Sequence, residues 1–338
     1  MRIALIETTH WHLPLYLGAL KRSDVRVVGV TDSAGRTGKA VAADFDCPLY
    51  ESLDHLFEAE SLDFAFVFGR HVDMPALAHA MIAHGIPFAI EKPCGIRADD
   101  VVAVAAAADR AGLFVAVPFI LRMTDAVKII VAECAQSGPV DHVSIRFIAG
   151  PPSRYVAAGV PWMLERELGG GGPLINLGGH LIDVFRVLAG DEVASVSATV
   201  SSRVFRLAIE DTVSLRLLSR SGRLATLETG YTFPSDRDAQ REFTLSARVS
   251  GVYFMSAPNG LFIRRTSENG AFVTRTAPVR YETDVYYGEF VTCVLDDFGH
   301  NRKPIAGLGD AARALRIIEA AYASGADGGV PVAPRPLA

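Results

Sequence analysis

Apolar and polar positions along the first 120 residues alternate between two periods. Residues 2–6 (RIALI) form an apolar run too short for a helix, and residues 25–31 (VRVVGVT) are β-branched and continuous, as a strand buried on both faces is. Further buried strands are predicted at 64–68, 88–90 and 114–117, with helical spacing at 13–21, 35–45, 75–84 and 98–111 between them. Repeated βα units with short connections imply a parallel, doubly wound sheet, because parallel strands need crossover helices.

After about residue 123 the pattern changes. A helix at 123–136 leads to a strand at 142–149, a Pro/Gly-rich stretch and a helix at 173–188. From 193 to 276 the chain reads as consecutive strands. Segments 211–218 and 223–232 alternate apolar and polar around Ser219-Arg-Ser-Gly222, a hairpin pattern, and 250–254, 260–265 and 271–276 continue the series. Such a run predicts a large, mostly antiparallel sheet with one exposed face. Helices at 284–298 and 308–324 close the chain, and the Pro-rich tail from 330 reads as a loose or strapped terminus. The expected fold is therefore α/β: an N-terminal Rossmann-type doubly wound parallel sheet (1–122) and a C-terminal α+β domain (123–338). Helix 308–324 is a candidate to pack back on the first domain.

Length supports two domains, since 338 residues exceed what one core usually fills. Net charge is −5 with no basic block, which argues against a nucleic-acid partner. No apolar run reaches the roughly 18 residues that span a bilayer, and residues 1–7 (MRIALIE) lack the layout of a signal peptide, so a cytoplasmic location is expected. Cys47, Cys94, Cys134 and Cys293 are scattered without a CxxC pair and read as free thiols in a reducing compartment.

In a doubly wound sheet, ligands bind beyond the carboxyl ends of the strands. After the first strand comes Glu7-Thr-Thr-His-Trp-His12, where a dinucleotide site normally places G-x-G-x-x-G; Glu7, Thr9 and His12 occupy the three glycine positions. Thr8, His10 and Trp11 fall on the same turn. His10 and His12 do not make a metal site by themselves, because two histidines at i, i+2 need a third ligand, and no metal is expected. The second strand ends at Asp32, placed to accept ribose hydroxyls and favouring NAD over NADP, with Arg36 nearby; read alone, Asp32 serves equally as a helix cap. After the fourth strand comes Gly69-Arg70-His71, and Arg70 could offer positive charge to a pyrophosphate. The fifth strand ends at Glu91-Lys92-Pro93. A partly buried lysine can have its pKa lowered enough for proton chemistry, although a lysine at a strand end alone reads as a surface charge. Farther on lies Leu168-Gly-Gly-Gly-Gly-Pro-Leu-Ile-Asn-Leu-Gly-Gly-His-Leu-Ile-Asp183. Asn176 and His180 are four apart and share a helical face, and Asp183 could orient His180. By itself His180 reads as a core or surface histidine.

The pair of motifs, EKP at a strand end followed some 80 residues later by GGG-x-L-x-N-x-G-x-H-x-x-D, resembles the glucose–fructose oxidoreductase / inositol dehydrogenase (Gfo/Idh/MocA) family. The resemblance covers nearly the whole chain, including Asp32, helix 75–84, Arg122 and the 211–221 hairpin. It implies NAD(P)-linked hydride transfer on a sugar, inositol or related polyol, and a homodimer or homotetramer formed through the large sheet's open face. By position, Lys92 matches the family's active-site lysine and His180 its acid/base histidine. Asn176 stands where many members carry Asp. Two departures from the pattern, besides the missing glycines, are Gly69-Arg-His-Val-Asp-Met74 in place of T-P-N-x-x-H and Pro118-Phe-Ile-Leu121 before Arg122.

The expected mechanism has substrate between the domains, near Lys92, Arg122, Trp162, Asn176 and His180. His180 takes the hydroxyl proton, Lys92 stabilises the developing charge on the same oxygen, and Asn176 holds that oxygen or His180. Cofactor contacts are expected from Thr8, Thr9, His10, Trp11, His12, Asp32, Arg36, Gly69, Arg70, His71, Glu91 and Lys92. Two alternatives stay open: a non-catalytic sugar- or nucleotide-sensing regulator with a degraded cofactor site, and a lyase or epimerase-like enzyme that recycles a tightly held NAD.

Overall fold

A computed structural model describes residues 1–235, 241–267 and 269–337. The chain folds as two compact units, neither of them one continuous stretch: residues 1–119, 153–170 and 284–313 form the first, and 120–152, 171–283 and 314–338 the second.

Six strands build the first unit: β1 (Arg2–Ile6), β2 (Arg26–Thr31), β3 (Leu49–Tyr50), β4 (Phe64–Val67), β5 (Phe88–Ile90) and β6 (Val115–Ala116). The helices between them are α1 (Leu13–Leu20), α2 (Gly38–Phe45), α3 (Leu53–Ala59), α4 (Met74–Ala83) and α5 (Ala98–Ala111). All strand pairs are parallel and the order is β3-β2-β1-β4-β5-β6, the doubly wound arrangement expected from the βα alternation. Strand order reverses between β1 and β4, so the crevice for a ligand lies beyond their carboxyl ends. The continuous apolar runs are core: Ile3–Ile6 and Phe64–Val67 are essentially without solvent exposure. The β3–α3 unit escapes periodicity because β3 is two residues long and α3 buries only Leu56.

The second unit carries α6 (Asp125–Ser137) and β7 (His142–Ile148). Two short helices follow in residues of the first unit, α7 (Ser153–Ala157) and α8 (Arg166–Gly169), before α9 (Gly179–Ala189). The sheet continues with β8 (Val193–Ser201), β9 (Thr212–Ser219), β10 (Leu224–Gly230), β11 (Glu242–Val249), β12 (Val252–Ala257), β13 (Gly260–Thr266) and β14 (Phe272–Ala277). Its order is β14-β13-β12-β11-β7-β10-β9-β8, antiparallel except for the parallel β7–β10 pair. One-sided burial is clearest in β9, where Val213, Leu215 and Leu217 point to the core and alternate with exposed Ser214 and Arg216. Strand β11 is additional to the expected series, its inward Leu245, Ala247 and Val249 masked by intervening polar residues. Residues 236–240 and 268 of the expected strand run lie outside the described residues.

Helices α10 (Val285–Gly299), in the first unit, and α11 (Leu308–Ala326) complete the chain. The Pro-rich tail is strapped: Val332 makes an antiparallel bridge to Val196 of β8. The single helix expected over 173–188 is instead a π-helical turn, Leu174–Gly178, running into α9. Such wide turns recur at functional sites.

Candidate functional site

In the first unit, β1 runs into Glu7, which adopts a left-handed backbone (φ 54°) where the fingerprint would have its first glycine. The turn geometry that glycine makes easily is thus kept at a cost of about 1 kcal/mol or more. The Glu7 carboxylate accepts from the backbone N–H of Ser33 (3.0 Å) and from its hydroxyl (2.5 Å). Several turn N–H groups bond within the turn itself: Thr9 to the Glu7 carbonyl (2.7 Å), His12 to His10 Nδ1 (3.2 Å) and Leu13 to the His10 carbonyl (3.1 Å). Thr8, Thr9, His10 and His12 are buried, so side chains fill the space that glycines would leave open.

At the end of β2, Asp32 serves as a helix cap with one of its two oxygens. One oxygen, Oδ2, caps α2 by accepting from the N–H groups of Thr37 (2.7 Å) and Gly38 (2.6 Å). The other, Oδ1, is buried and without a hydrogen-bond partner. Arg36 turns to donate to the Ala158 carbonyl. At the end of β4, a Cβ on Gly69 would lie 2.4 Å from Leu77 Cδ1, so the Leu77 side chain would have to turn aside to admit one. Arg70 is held by Asp73 (2.6 Å), which already neutralises the charge considered for a pyrophosphate. His71 is buried, with Nδ1 bonded to the Gly169 carbonyl at 2.8 Å. Burial, reinforced by the Lys92 charge, lowers its pKa to about 3.

The end of β5 is the most constrained place in the unit. Glu91 and Lys92 are each 1% exposed. The Glu91 carboxylate accepts from the Tyr16 hydroxyl (2.6 Å) and the Lys92 backbone N–H (3.1 Å), and lies 3.2 Å from His12 Nδ1. The Tyr287 hydroxyl of α10 is 3.0 Å from the same His12 nitrogen. Burial lowers the Lys92 pKa to about 8, against the opposing pull of Glu91. Burial also holds His10 well below its ordinary value.

Residues 153–170 return to this unit and add aromatic walls. Trp162 lies 5.0 Å from the His71 ring and 6.0 Å from the His10 ring, and Tyr155 packs edge-on against Trp11 at 5.1 Å, with Arg154 stacked on both Trp11 and Tyr155. Sequence reasoning missed Tyr16, Tyr155 and Tyr287. No local motif marks them, and Tyr287 reaches His12 across 275 positions.

A third candidate ligand stands beside His10 and His12: one ligand atom from each of His10, His12 and Glu91 lies within 4.8 Å of the others. The third member is 79 positions from His12, beyond what spacing on a turn can reveal.

In the second unit, the glycine run packs against a buried carboxylate. Glu210 Oε1 accepts from the N–H groups of Gly172 (2.9 Å) and Leu174 (3.1 Å) and from the Tyr322 hydroxyl (2.8 Å). A Cβ on Gly172 would stand 2.1 Å from the Glu210 carbonyl oxygen, so the close approach is to protein backbone. This anchors the π turn carrying Asn176, whose amide donates to the Tyr231 hydroxyl (3.0 Å). His180, one helical turn on, is 3% exposed. Asp183, read from sequence as a partner for His180, is engaged by Arg122 in a bidentate pair (2.7 and 2.5 Å), with Arg186 at 3.9 Å. Asn176, His180, Asp183 and Arg122 are thus gathered in the second unit, and Lys92 with the expected cofactor residues and Trp162 in the first.

Two family models match the chain. Residues 11–119 match the oxidoreductase family NAD-binding Rossmann fold, and 131–251 the GFO/IDH/MocA C-terminal domain. A putative UDP-kanosamine synthase oxidoreductase subunit of Amycolatopsis mediterranei is 29% identical over 181 residues, covering 52% of this chain and 48% of the relative. A trans-1,2-dihydrobenzene-1,2-diol dehydrogenase of Sus scrofa is 26% identical over 202 residues, covering 60% and 58%. The matched stretch thus spans about half the length of these curated relatives. An oxidoreductase from Agrobacterium radiobacter, solved with NAD+, L-tartaric acid and magnesium, shares the fold with a TM-score of 0.84 at 19% identity, over 98% of both chains.

Proposed function

This chain belongs to the Gfo/Idh/MocA family of oxidoreductases, whose N-terminal domain is an NAD-binding Rossmann fold, and on that premise we propose that it interconverts an alcohol and a ketone or lactone on a sugar, inositol or related polyol. The observation that carries the reading is Lys92. A fully buried ammonium with its pKa lowered to about 8 is costly to keep, and positions of this kind are where proton and charge chemistry is done. Relatives named for diols, and a structural neighbour solved with a hydroxy acid, agree with a hydroxylated small molecule as substrate.

The residues present fit NAD at its ribose end. Asp32 Oδ1 and Thr9 Oγ1 are buried polar atoms without partners, beyond the carboxyl ends of the neighbouring strands β2 and β1. An acidic residue there accepts ribose hydroxyls and repels a 2′-phosphate, favouring NAD over NADP. When bound, NAD supplies hydride acceptance from the carbinol carbon. His180 takes the hydroxyl proton as general base and returns it in the reducing direction. Lys92 donates a hydrogen bond to the reacting oxygen, stabilising negative charge as it develops. Asn176, held by Tyr231, is a donor that cannot titrate and so orients without exchanging protons. The Arg122–Asp183 pair fixes the helix that carries His180.

The test is turnover on a panel of polyols and sugars with NAD, followed as NADH absorbance. Lys92→Ala and His180→Ala are each expected to lower turnover by orders of magnitude while remaining folded. Full activity in both refutes the assignment.

The filled turn at residues 7–12 favours a second reading, a non-catalytic regulator of the same fold. Titration with NAD separates the two, because a ligand that binds only the native state raises the melting temperature. No shift at saturating NAD favours the regulator.

A further inference from the structure

We propose that His10, His12 and Glu91 form a binding site for one divalent transition metal ion of the zinc class, at the carboxyl ends of β1 and β5.

The three side chains are 1%, 8% and 1% exposed, and one potential ligand atom from each lies within 4.8 Å of the others. A tetrahedral ion with bonds of roughly 2.1 Å needs its ligand atoms about 3.4 Å apart. Closing the site therefore takes a contraction of up to about 1.4 Å from the 4.8 Å limit, to be made by rotations of the two imidazoles on the turn. The Glu91 oxygen and His12 Nδ1 already stand at 3.2 Å.

A second observation points the same way. His10 Nε2 and His71 Nε2 are buried polar atoms with no hydrogen-bond partner, and the two rings are 5.6 Å apart. Buried imidazole nitrogens are normally satisfied, and one left unpaired is costly. Ligation of His10 through Nε2 moves its proton to Nδ1 and gives up the bond from the His12 N–H, whereas His71, whose Nδ1 bonds the Gly169 carbonyl, already offers its Nε2 lone pair as a candidate fourth ligand.

The donor set selects the ion. Two imidazoles and one carboxylate suit zinc, cobalt and ferrous iron, whereas magnesium and calcium prefer all-oxygen sites. With three protein ligands the fourth tetrahedral position falls to His71 or to a water. An ion here places positive charge on a turn several of whose N–H groups are used internally and whose Glu7 adds negative charge. Outer partners are in place: the Tyr16 hydroxyl holds Glu91 at 2.6 Å, and the Tyr287 hydroxyl lies 3.2 Å from His12 Nε2, the ring nitrogen left over when Nδ1 ligates.

The experiment uses the full chain stripped with a chelator and titrated with Co2+, without nucleotide. The expected result is one equivalent bound, with a visible ligand-field absorption that Zn2+ abolishes. His10→Asn, His12→Gln and Glu91→Gln conserve most of the volume, and each is expected to weaken binding by at least about tenfold. His79→Ala and His300→Ala, on exposed histidines, leave it unchanged. X-ray absorption of the Zn2+-loaded wild-type chain needs no variant to fold and is expected to show at least two imidazoles around the metal. Absence of the absorption band, binding that Glu91→Gln and His12→Gln alter by less than about twofold, or fewer than two imidazoles overturns the proposal.

Discussion

Replacing Lys92 by Met keeps an unbranched side chain of similar length and removes the charge. Lys92 is 1% exposed, and burial lowers its pKa to about 8 from an ordinary value near 10.5. The difference of about 2.5 units corresponds to about 3 kcal/mol at roughly 1.36 kcal/mol per unit. The sign follows from proton counts. Between pH 8 and 10.5 the unfolded chain holds a proton at this position that the native state has lost, so stability rises with pH through that window. Below pH 8 both states are charged, and the native state bears the full cost of the buried ammonium. Lys92→Met is therefore expected to be about 3 kcal/mol more stable than wild type at pH 7, with turnover lost. Its advantage shrinks from pH 8 upward and vanishes above about 10.5. The assay is guanidinium unfolding at a series of pH values with chelator present, followed by tryptophan emission. Trp11 and Trp162 both report on the unit that contains Lys92. A variant no more stable than wild type at pH 7, or a difference flat across pH 7 to 10.5, refutes the reasoning.

His71 sets the acid side. With its pKa lowered to about 3 from 6.5, the unfolded chain binds a proton there that the native state refuses, so stability falls as pH drops from about 6.5 toward 3. His71→Gln is expected to move the acid-unfolding midpoint, read by tryptophan emission, to lower pH. Glu7→Gly relieves a left-handed backbone and removes a carboxylate from the β1 turn. NAD affinity is expected to rise several-fold, read as a larger thermal shift at fixed NAD, and an unchanged shift speaks against crowding at the turn. Arg122→Leu leaves Asp183 buried without its bidentate partner, and a loss of about 3 kcal/mol is expected in urea unfolding, softened by Arg186 at 3.9 Å.

Most of the first unit was legible as sequence because its signals are local. Continuous β-branched runs become buried parallel strands, and the regular βα alternation leaves few topologies open. The helix Ala98–Ala111 and the strand Phe88–Ile90 stand where their patterns put them. Elements too short or too polar to carry a period, such as Leu49–Tyr50 and β11, were not legible. The β1 turn was legible as unusual, since three glycines are missing, but what the substitutes do was not. Asp32 divides its two oxygens between a helix cap and an unpaired position, which no motif can state.

The sequence by itself determined the two kinds of sheet, the βα order, the absence of a glycine fingerprint, and Lys92 and His180 as the pair to test. These rest on periodicity and on motifs a few residues long, information that neighbouring positions share. Only the tertiary structure decided the partners. Asp183 is engaged by Arg122 across 61 positions, Asn176 bonds Tyr231 across 55, and Glu91 meets His12 across 79. Burial fixes the charge states of Lys92, His10 and His71, and burial is set by everything that packs around a side chain. Chain spacing bounds what can be near, while packing selects which of those groups touch.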